Sequence, residues 1–418
     1  MEIEPPSRIA ILGAGPIGLE AALYARYLGY DVRVYERGRV GENLLRFGHV
    51  RLFSPFGMNR SPLALAALSA QDPSWRPPAD DALLTAREYA EQYLLPLAHS
   101  DLLEGAVHEQ TEVLSVGRAG MRKGDCVGDP ARGKQRFRLL LRDADGERTA
   151  KARVVIDATG TYGNANWVGM GGIPAIGERD AAAHIEHGLP DVLGADRAHY
   201  AGRRVLVVGG GYSAAANVVA LAQLAEAAPQ THVTWMTRRE AAAGAGPLPL
   251  IPDDRLPERR RLVEAANRLA AGAHPRVAYR GGMWVDRIRH QPDAEEFSIR
   301  LRGRQREKLF VERIVANVGF RPDASLYDEL HVHQCYASDG PMRLAAAPAG
   351  AQGGDCLDQR CAGPETLITT EPNFYILGAK SYGRGSQFLI SVGLEQVREL
   401  FTLIGGRADL NLYNNAAR

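Results

Sequence analysis

The chain has 418 residues, 45% hydrophobic and 24% charged, which is ordinary globular usage but too long for a single hydrophobic core, so two domains or three lobes are expected. Its formal net charge of +1 gives no bulk attraction to nucleic acid or to an anionic membrane surface. Few cysteines, an acidic start without a basic n-region, and no run of about 18 apolar residues predict a cytoplasmic protein with no membrane span.

The first element is the β-rich run Arg8–Leu12, which enters Gly13-Ala14-Gly15-Pro16-Ile17-Gly18. An Ala- and Leu-rich helix follows over 19–29, then a strand over 31–35 ending in Glu36. Strand, GxGxxG, helix, strand and acid in register are the parts of a dinucleotide site. Gly13 allows the tight turn, Gly15 lets the backbone approach a pyrophosphate, and Gly18 lets helix and sheet pack closely. The helix start, with Pro16 and Ile17, faces the phosphates, and Glu36 accepts from ribose hydroxyls. Arg37, Asn43 and Leu44 lie in the loop beyond that strand, which either runs beside a bound nucleotide or is simply solvated.

A polar helical stretch covers 85–99. Strands over 136–141 and 152–156 flank Asp143-Ala144-Asp145-Gly146, a hairpin turn signal. The second of them closes in Asp157-Ala158-Thr159-Gly160. Residues 119–134, rich in Gly, Lys, Arg and Asp, read as a flexible surface insertion.

A second unit begins with the strand 203–208 and the turn Gly209-Gly210-Gly211-Tyr212-Ser213-Ala214, with Ala214 in the place of the third glycine. An Ala-rich helix runs to about 227. The next strand, 231–236, ends in Thr237-Arg238-Arg239 instead of an acid. Guanidinium at that place suits a 2′-phosphate. The first site is therefore expected to take FAD and the second NADPH. Strands over 296–301 and 309–315 repeat the plan of the first half and close in Val318-Gly319-Phe320-Arg321-Pro322. The Pro- and Gly-rich segment 244–252 reads as a loop after the NADPH strand. The stretch 323–363, with His331, His333, Cys335 and Tyr336, reads as a long irregular connection.

Together these motifs span most of the chain, which resembles the flavoproteins with two dinucleotide-binding domains, the group holding thioredoxin reductases and flavin-containing monooxygenases. The resemblance implies an α/β fold of two Rossmann-like, three-layer ββα domains, the NADPH domain inserted into the FAD domain. The divisions fall at 1–163, 164–315 and 316–418. It also implies that Thr159, Gly160, Gly378, Ser381 and Phe388 face the flavin nucleotide, with backbone N–H groups at a helix start near Phe388 turned to the flavin ring.

Within that group, a disulfide reductase needs two cysteines placed to exchange with flavin. Cys126, Cys335, Cys356 and Cys361 show no CxxC. The segment Arg51–Ser61 is similar to the monooxygenase stretch ending in Asn-x-Ser. Carried over, Asn59 becomes the catalytic residue, donating to a flavin hydroperoxide at the oxygen-reacting edge. Lys380 stands where disulfide reductases place an acid on the ribityl chain, a departure shared with monooxygenases. The FxGxxxHxxx(aromatic) signature of that branch is not matched by the spacing of His184 and His187. The expectation is an NADPH-using flavin monooxygenase acting on a small molecule with O2. Its alternatives are a reductase passing electrons to a protein, an amine dehydrogenase, and a nucleotide-binding scaffold. The apolar stretch 388–404 serves as core or as a homodimer face.

Overall fold

The computed structural model describes residues 2–241, 245–347, 357 and 361–416. They fall into two compact units, Met1–Asn164 with Arg321–Arg418, and Ala165–Phe320. In chain order the strands of the first stretch are β1 (Arg8–Leu12), β2 (Asp31–Tyr35), β3 (Val107–His108), β4 (Glu112–Arg118), β5 (Phe137–Asp143), β6 (Gly146–Ala152) and β7 (Val154–Asp157). The second unit holds β8 (Ile185–Glu186), β9 (Arg204–Val208), β10 (His232–Met236), β11 (Val277–Arg280), β12 (Trp284–Gln291), β13 (Glu296–Arg302), β14 (Arg306–Val311) and β15 (Arg313–Ala316). β16 (Phe374–Ile376) returns to the first.

In the first unit the parallel sheet β16-β7-β1-β2-β3 is covered on both faces. Ile9, Ile11, Val32, Val34, Val154 and Ile156 meet the helices, among them Pro16–Tyr27 and Ile390–Ile404. Ala10, Leu12, Tyr35, Val155, Phe374 and Ile376 meet the antiparallel meander β4-β5-β6. Burial on both faces is why these strands are continuous apolar runs instead of alternating ones. The second unit repeats the plan. One face of the sheet β11-β10-β9-β15-β8 packs on helices Tyr212–Ala227 and Pro257–Ala270, and the other on the meander β12-β13-β14. This is the expected pair of three-layer ββα domains, the second inserted into the first.

Local departures have physical causes. The expected strands 136–141 and 152–156 pair with each other across the 143–146 turn only at Phe137 and Ala152. β6 is the hairpin partner of β5, and Val154–Asp157 leaves for the central sheet. β6 reads Gly-Glu-Arg-Thr-Ala-Lys-Ala and is largely exposed, so it shows no apolar pattern. The last long helix starts at Ile390, two residues after Phe388. It is core, since Phe401 stacks on Tyr24 with ring centroids 5.0 Å apart.

The 119–134 segment is not a loose insertion. Arg132 is buried and its Nε donates to Glu371 Oε2 at 2.9 Å, while Arg118 Nε donates to Glu371 Oε1 at 2.7 Å. The remaining guanidinium N–H groups go to the carbonyls of Arg122, Asp125, Gln135, Glu329 and Pro372. One carboxylate thus ties the meander to the returning chain. Breaking a buried ionic cluster at one member costs about 3–5 kcal/mol. Glu371→Gln is expected to lower the unfolding free energy from urea titration accordingly, while Arg148→Ala, whose partner Asp143 lies in a half-exposed pair, should change that free energy by under ~1 kcal/mol. Equal effects of the two substitutions would contradict the assignment.

Candidate functional site

Two glycine turns sit at the carboxyl ends of β1 and β9, the edge of a parallel sheet where ligands bind. Their glycines serve different needs. Gly13 has φ +96, and a Cβ on Gly18 would stand 1.9 Å from the Gly13 carbonyl oxygen. In the second unit Gly209 has φ +145 and its Cβ would stand 2.2 Å from Asn317 O. These positions have no room for a side chain. Gly15 and Gly211 are the opposite case. Each is the N-cap of a long helix, at φ −82 and −108 with extended ψ, a backbone any residue adopts. A Cβ on either would meet nothing within 4 Å. Neither helix has a side-chain cap, so the first N–H groups and the positive end of the helix dipole open onto that space. An anion brought against the backbone accounts for glycine there; packing does not. The residues present therefore fit a dinucleotide at each turn.

Around the first turn, the Glu36 carboxylate accepts from Ala14 N at 2.9 Å and Gly38 N at 2.8 Å, which fixes it beside the turn. Gly41 N donates to Ala14 O at 3.0 Å, bringing the loop back. Asn43 and Leu44 lie on the short helix Glu42–Arg46, and Arg37 is exposed. Ile17 and Phe388 converge on Gly393 of the last helix, where a Cβ would lie 2.4 and 2.7 Å from them. Gly378 N donates to Gln396 Oε1 at 2.9 Å, and Gln396 Nε2 to Ser381 Oγ at 2.9 Å. Thr159 N and Oγ1 donate to Asp157 Oδ1, and Gly160 has φ +70 with open space beyond it. The fold thus gathers residues 13–18, 36, 378, 381 and 388 within one unit, with Thr159 and Gly160 at the end of the neighbouring strand.

Lys380 is turned into the core. Its Nζ donates to Asp157 Oδ2 at 2.6 Å and to Thr159 Oγ1 at 3.1 Å, and both charged groups are buried. It is a brace under the Asp157–Gly160 turn, a pairing not visible from the spacing of two residues so far apart in the chain. Asn59 is buried at the end of Phe56–Asn59, whose helix packs against Ile390–Ile404. Its Nδ2 donates to Ser54 O at 3.2 Å, and its amide bonds the Ser54 hydroxyl at 2.9–3.0 Å. Both amide hydrogens are therefore engaged locally.

Around the second turn, Trp235 Nε1 donates to Gly209 O at 2.8 Å. Asn217 and Asn317 share a bond of 2.7 Å and both donate to Gly188 O. Asn217 and Gln396 are the site-shaping groups that motif reading missed, since an amide inside a helix gives no signal of its own, whereas Asn317 belongs to the closing segment after β15. Tyr212 is half-buried, Ser213 exposed and Ala214 buried. Arg238 and Arg239 follow β10 and are exposed, with no ion pair to either among the described residues.

The thiols show no redox pair among the described residues. Cys126, Cys335 and Cys361 are free, and Cys356 lies outside the described residues. Burial raises the Cys361 thiol above its usual range, and its Sγ donates to Val392 O at 3.3 Å. A bond from the Ser338 side chain lowers the Cys335 thiol. His331 and His333 are not on a strand; their backbone N–H groups bind Glu371 and Thr370. No helix among the described residues is long and apolar enough to cross a membrane.

No family model and no curated relative matches this chain. Solved structures do. The bacillithiol disulfide reductase of Bacillus cereus is similar over 96% of this chain and 99% of its own, at TM-score 0.64 and 19% identity. The cadaverine monooxygenase DfoA of Erwinia amylovora, bound to FAD, matches over 96% and 94% at TM-score 0.64 and 13% identity. The ornithine N-hydroxylase of Kutzneria sp. 744, with reduced FAD and NADP+, matches over 96% and 100% at TM-score 0.57 and 16% identity. The chain has the fold these reductases and monooxygenases share.

Glu20 lies on the helix that leaves the first turn. It is buried and accepts from Ser61 Oγ at 2.7 Å through Oε2, with the Tyr413 hydroxyl also against its carboxylate. Burial raises its pKa from 4.5 to about 7. Because the folded protein holds this proton more tightly, the contribution to stability is full below pH 4.5 and is lost as pH rises to about 7, on the order of 3 kcal/mol. Glu20→Gln should therefore gain on wild type as pH goes from 4.5 to 8 in denaturation experiments. A difference that stays constant across that window would show that Glu20 does not titrate there.

Proposed function

We propose that this chain is an FAD-dependent oxidoreductase that takes electrons from NADPH and oxygenates a small molecule. The observation that carries the cofactor assignment is the open space at Gly15 and Gly211, combined with opposite charge at the ends of the following strands. Glu36 is held beside the first turn; Arg238 and Arg239 follow the second. A carboxylate accepts ribose hydroxyls and repels a 2′-phosphate, and guanidinium binds that phosphate. FAD supplies the two-electron chemistry and the reaction with O2.

The chain's own residues bind and orient. Ala14 and Gly38 aim the Glu36 carboxylate, whose spare lone pairs accept from the adenosine ribose. The helix start at 15–18 holds the FAD pyrophosphate. Thr159, Gly160, Gly378, Ser381 and Phe388 hold the flavin half, stiffened by the Lys380–Asp157 pair and by Gln396. Gly209 to Ala214 hold the NADPH pyrophosphate. Asn59 is the proposed donor at the reacting edge, and Ser54 is the partner it would exchange to serve there. The described cysteines offer no thiol pair for disulfide exchange, which favours O2 as the acceptor. The local engagement of Asn59 favours the second reading, electron transfer to an acceptor without oxygen insertion.

Anaerobic NADPH should bleach the flavin. Arg238→Ala/Arg239→Ala should raise KM for NADPH about 10–100-fold, the loss of one charge-assisted contact or two, and leave NADH unchanged. Equal loss with both nucleotides would contradict the 2′-phosphate assignment. For oxygenation, 18O from 18O2 should enter the product of a coupled small amine. Asn59→Ala should increase hydrogen peroxide released per NADPH, and Ser54→Ala should not. Identical leakage from the two variants would reduce Asn59 to a loop staple, and full NADPH consumption without label would establish the second reading.

A further inference from the structure

The near-zero net charge of the chain conceals a segregated surface. In the meander of the second unit, register places Arg302 opposite both Trp284 and Arg306, Arg300 opposite both Arg287 and Lys308, and Ser298 opposite both Arg289 and Phe310. The alternate residues Val285, Ile288, Phe297, Ile299, Leu301 and Val311 face the core. All six cations therefore stand on the outer face, and all six are exposed. Among the described residues none of them makes an ion pair or a side-chain hydrogen bond; Lys308 lies over the Phe310 ring at 4.5 Å. Like charges directly opposite on adjacent strands destabilise a sheet, so this alignment does not serve the fold.

The face is joined to the loop carrying Arg238 and Arg239. Arg304, at the tip between β13 and β14, donates to Glu240 at 2.7 Å. Met283 N donates to Thr237 O at 3.1 Å, and the Arg238 guanidinium lies 5.9 Å from the Trp284 ring centre. The row of Arg302 and Arg306 thus begins beside Trp284, next to the candidate 2′-phosphate contact. Successive rows follow at about 6.8 Å along a strand.

We propose that this cationic sheet face is an electrostatic guide for the 2′-phosphorylated dinucleotide, collecting NADPH and passing it to Arg238 and Arg239. The proposal rests on the NADPH reading above. A multiply charged anion approaching an array of one sign is captured faster, by up to 10–10³-fold at low salt. The guide acts over the Debye length, about 8 Å at 0.15 M salt and about 30 Å at 0.01 M. Physiological salt leaves only the first row in effective reach of the site, whereas dilute salt recruits the second and third. A docking surface for a macromolecule would instead depend most on the middle row at any salt.

The test is stopped-flow association of NADP+ with the flavin-loaded protein, read by intrinsic fluorescence, in parallel with anaerobic reduction by NADPH. The variants are Arg302→Gln/Arg306→Gln, Arg287→Gln/Arg300→Gln/Lys308→Gln and Arg289→Gln. Arg136→Gln/Arg138→Gln/Lys151→Gln on the first unit removes the same charge as the middle-row variant. At ~10 mM salt the first-row variant should associate about 5–10-fold more slowly, the second-row about 3-fold and the third under 2-fold; at ~150 mM only the first should differ. Dissociation in the second-row variant should stay within about twofold, and its melting temperature should rise as the opposed charges go. Three outcomes would overturn the proposal: equal association in all variants, an equal fall in the first-unit control, or loss of binding to anionic vesicles, an oligonucleotide or an acidic protein with NADP+ association unchanged. Equal association in all variants together with normal reduction by NADPH sinks the guide alone. Row-dependent NADP+ association without reduction sinks the oxidoreductase reading and leaves the guide standing.

Discussion

The constraint on which the molecule depends is the close approach of backbone to backbone where each leading strand turns into its helix. At Gly18 and Gly209 a single added carbon would stand 1.9 and 2.2 Å from a carbonyl oxygen, far inside van der Waals contact. The approach seats each helix on its sheet and aims its N-terminus past the sheet edge. Everything near the first turn is arranged around that seat: Glu36 from the adjacent strand, Lys380 and Asp157 below, Gln396 and Gly393 from the last helix. The same seat in the second unit is held by Trp235 and the Asn217–Asn317 pair.

Much of this was legible in the sequence, because it is carried by local patterns. Glycine spacing, an apolar run and a terminal acid or arginine pair each lie within a few tens of residues, and each is set by sterics or charge that a sequence displays. The parallel strands were legible for the same reason, being buried on both faces. What was hidden is non-local or polar. β6 is a strand made by its hairpin partner and not by apolar alternation. Lys380 reads as a replaced acid, and only the fold shows that it braces Asp157. Arg132 sits in a segment whose composition suggests disorder, yet it is fixed by a carboxylate far along the chain.

Charge teaches the same lesson on a larger scale. Composition averages fifty cationic and forty-nine acidic residues to almost nothing. Strand register sorts them, placing six cations on one sheet face without acidic partners there among the described residues. The acids are spent elsewhere, as with Glu371 between two arginines and Glu312 against Arg203 and Arg204. Net charge therefore bounds the behaviour of the whole chain and says little about any one surface.

The most direct test of the central claim compares Gly15→Ala with Gly211→Ala. Both positions have room for a methyl group and an ordinary backbone, so both variants should fold with wild-type denaturation midpoints. If the space is kept for two different phosphate groups, Gly15→Ala should purify largely without flavin, and Gly211→Ala should keep its flavin while losing reduction by NADPH. Full flavin in Gly15→Ala together with unimpaired reduction in Gly211→Ala would contradict it.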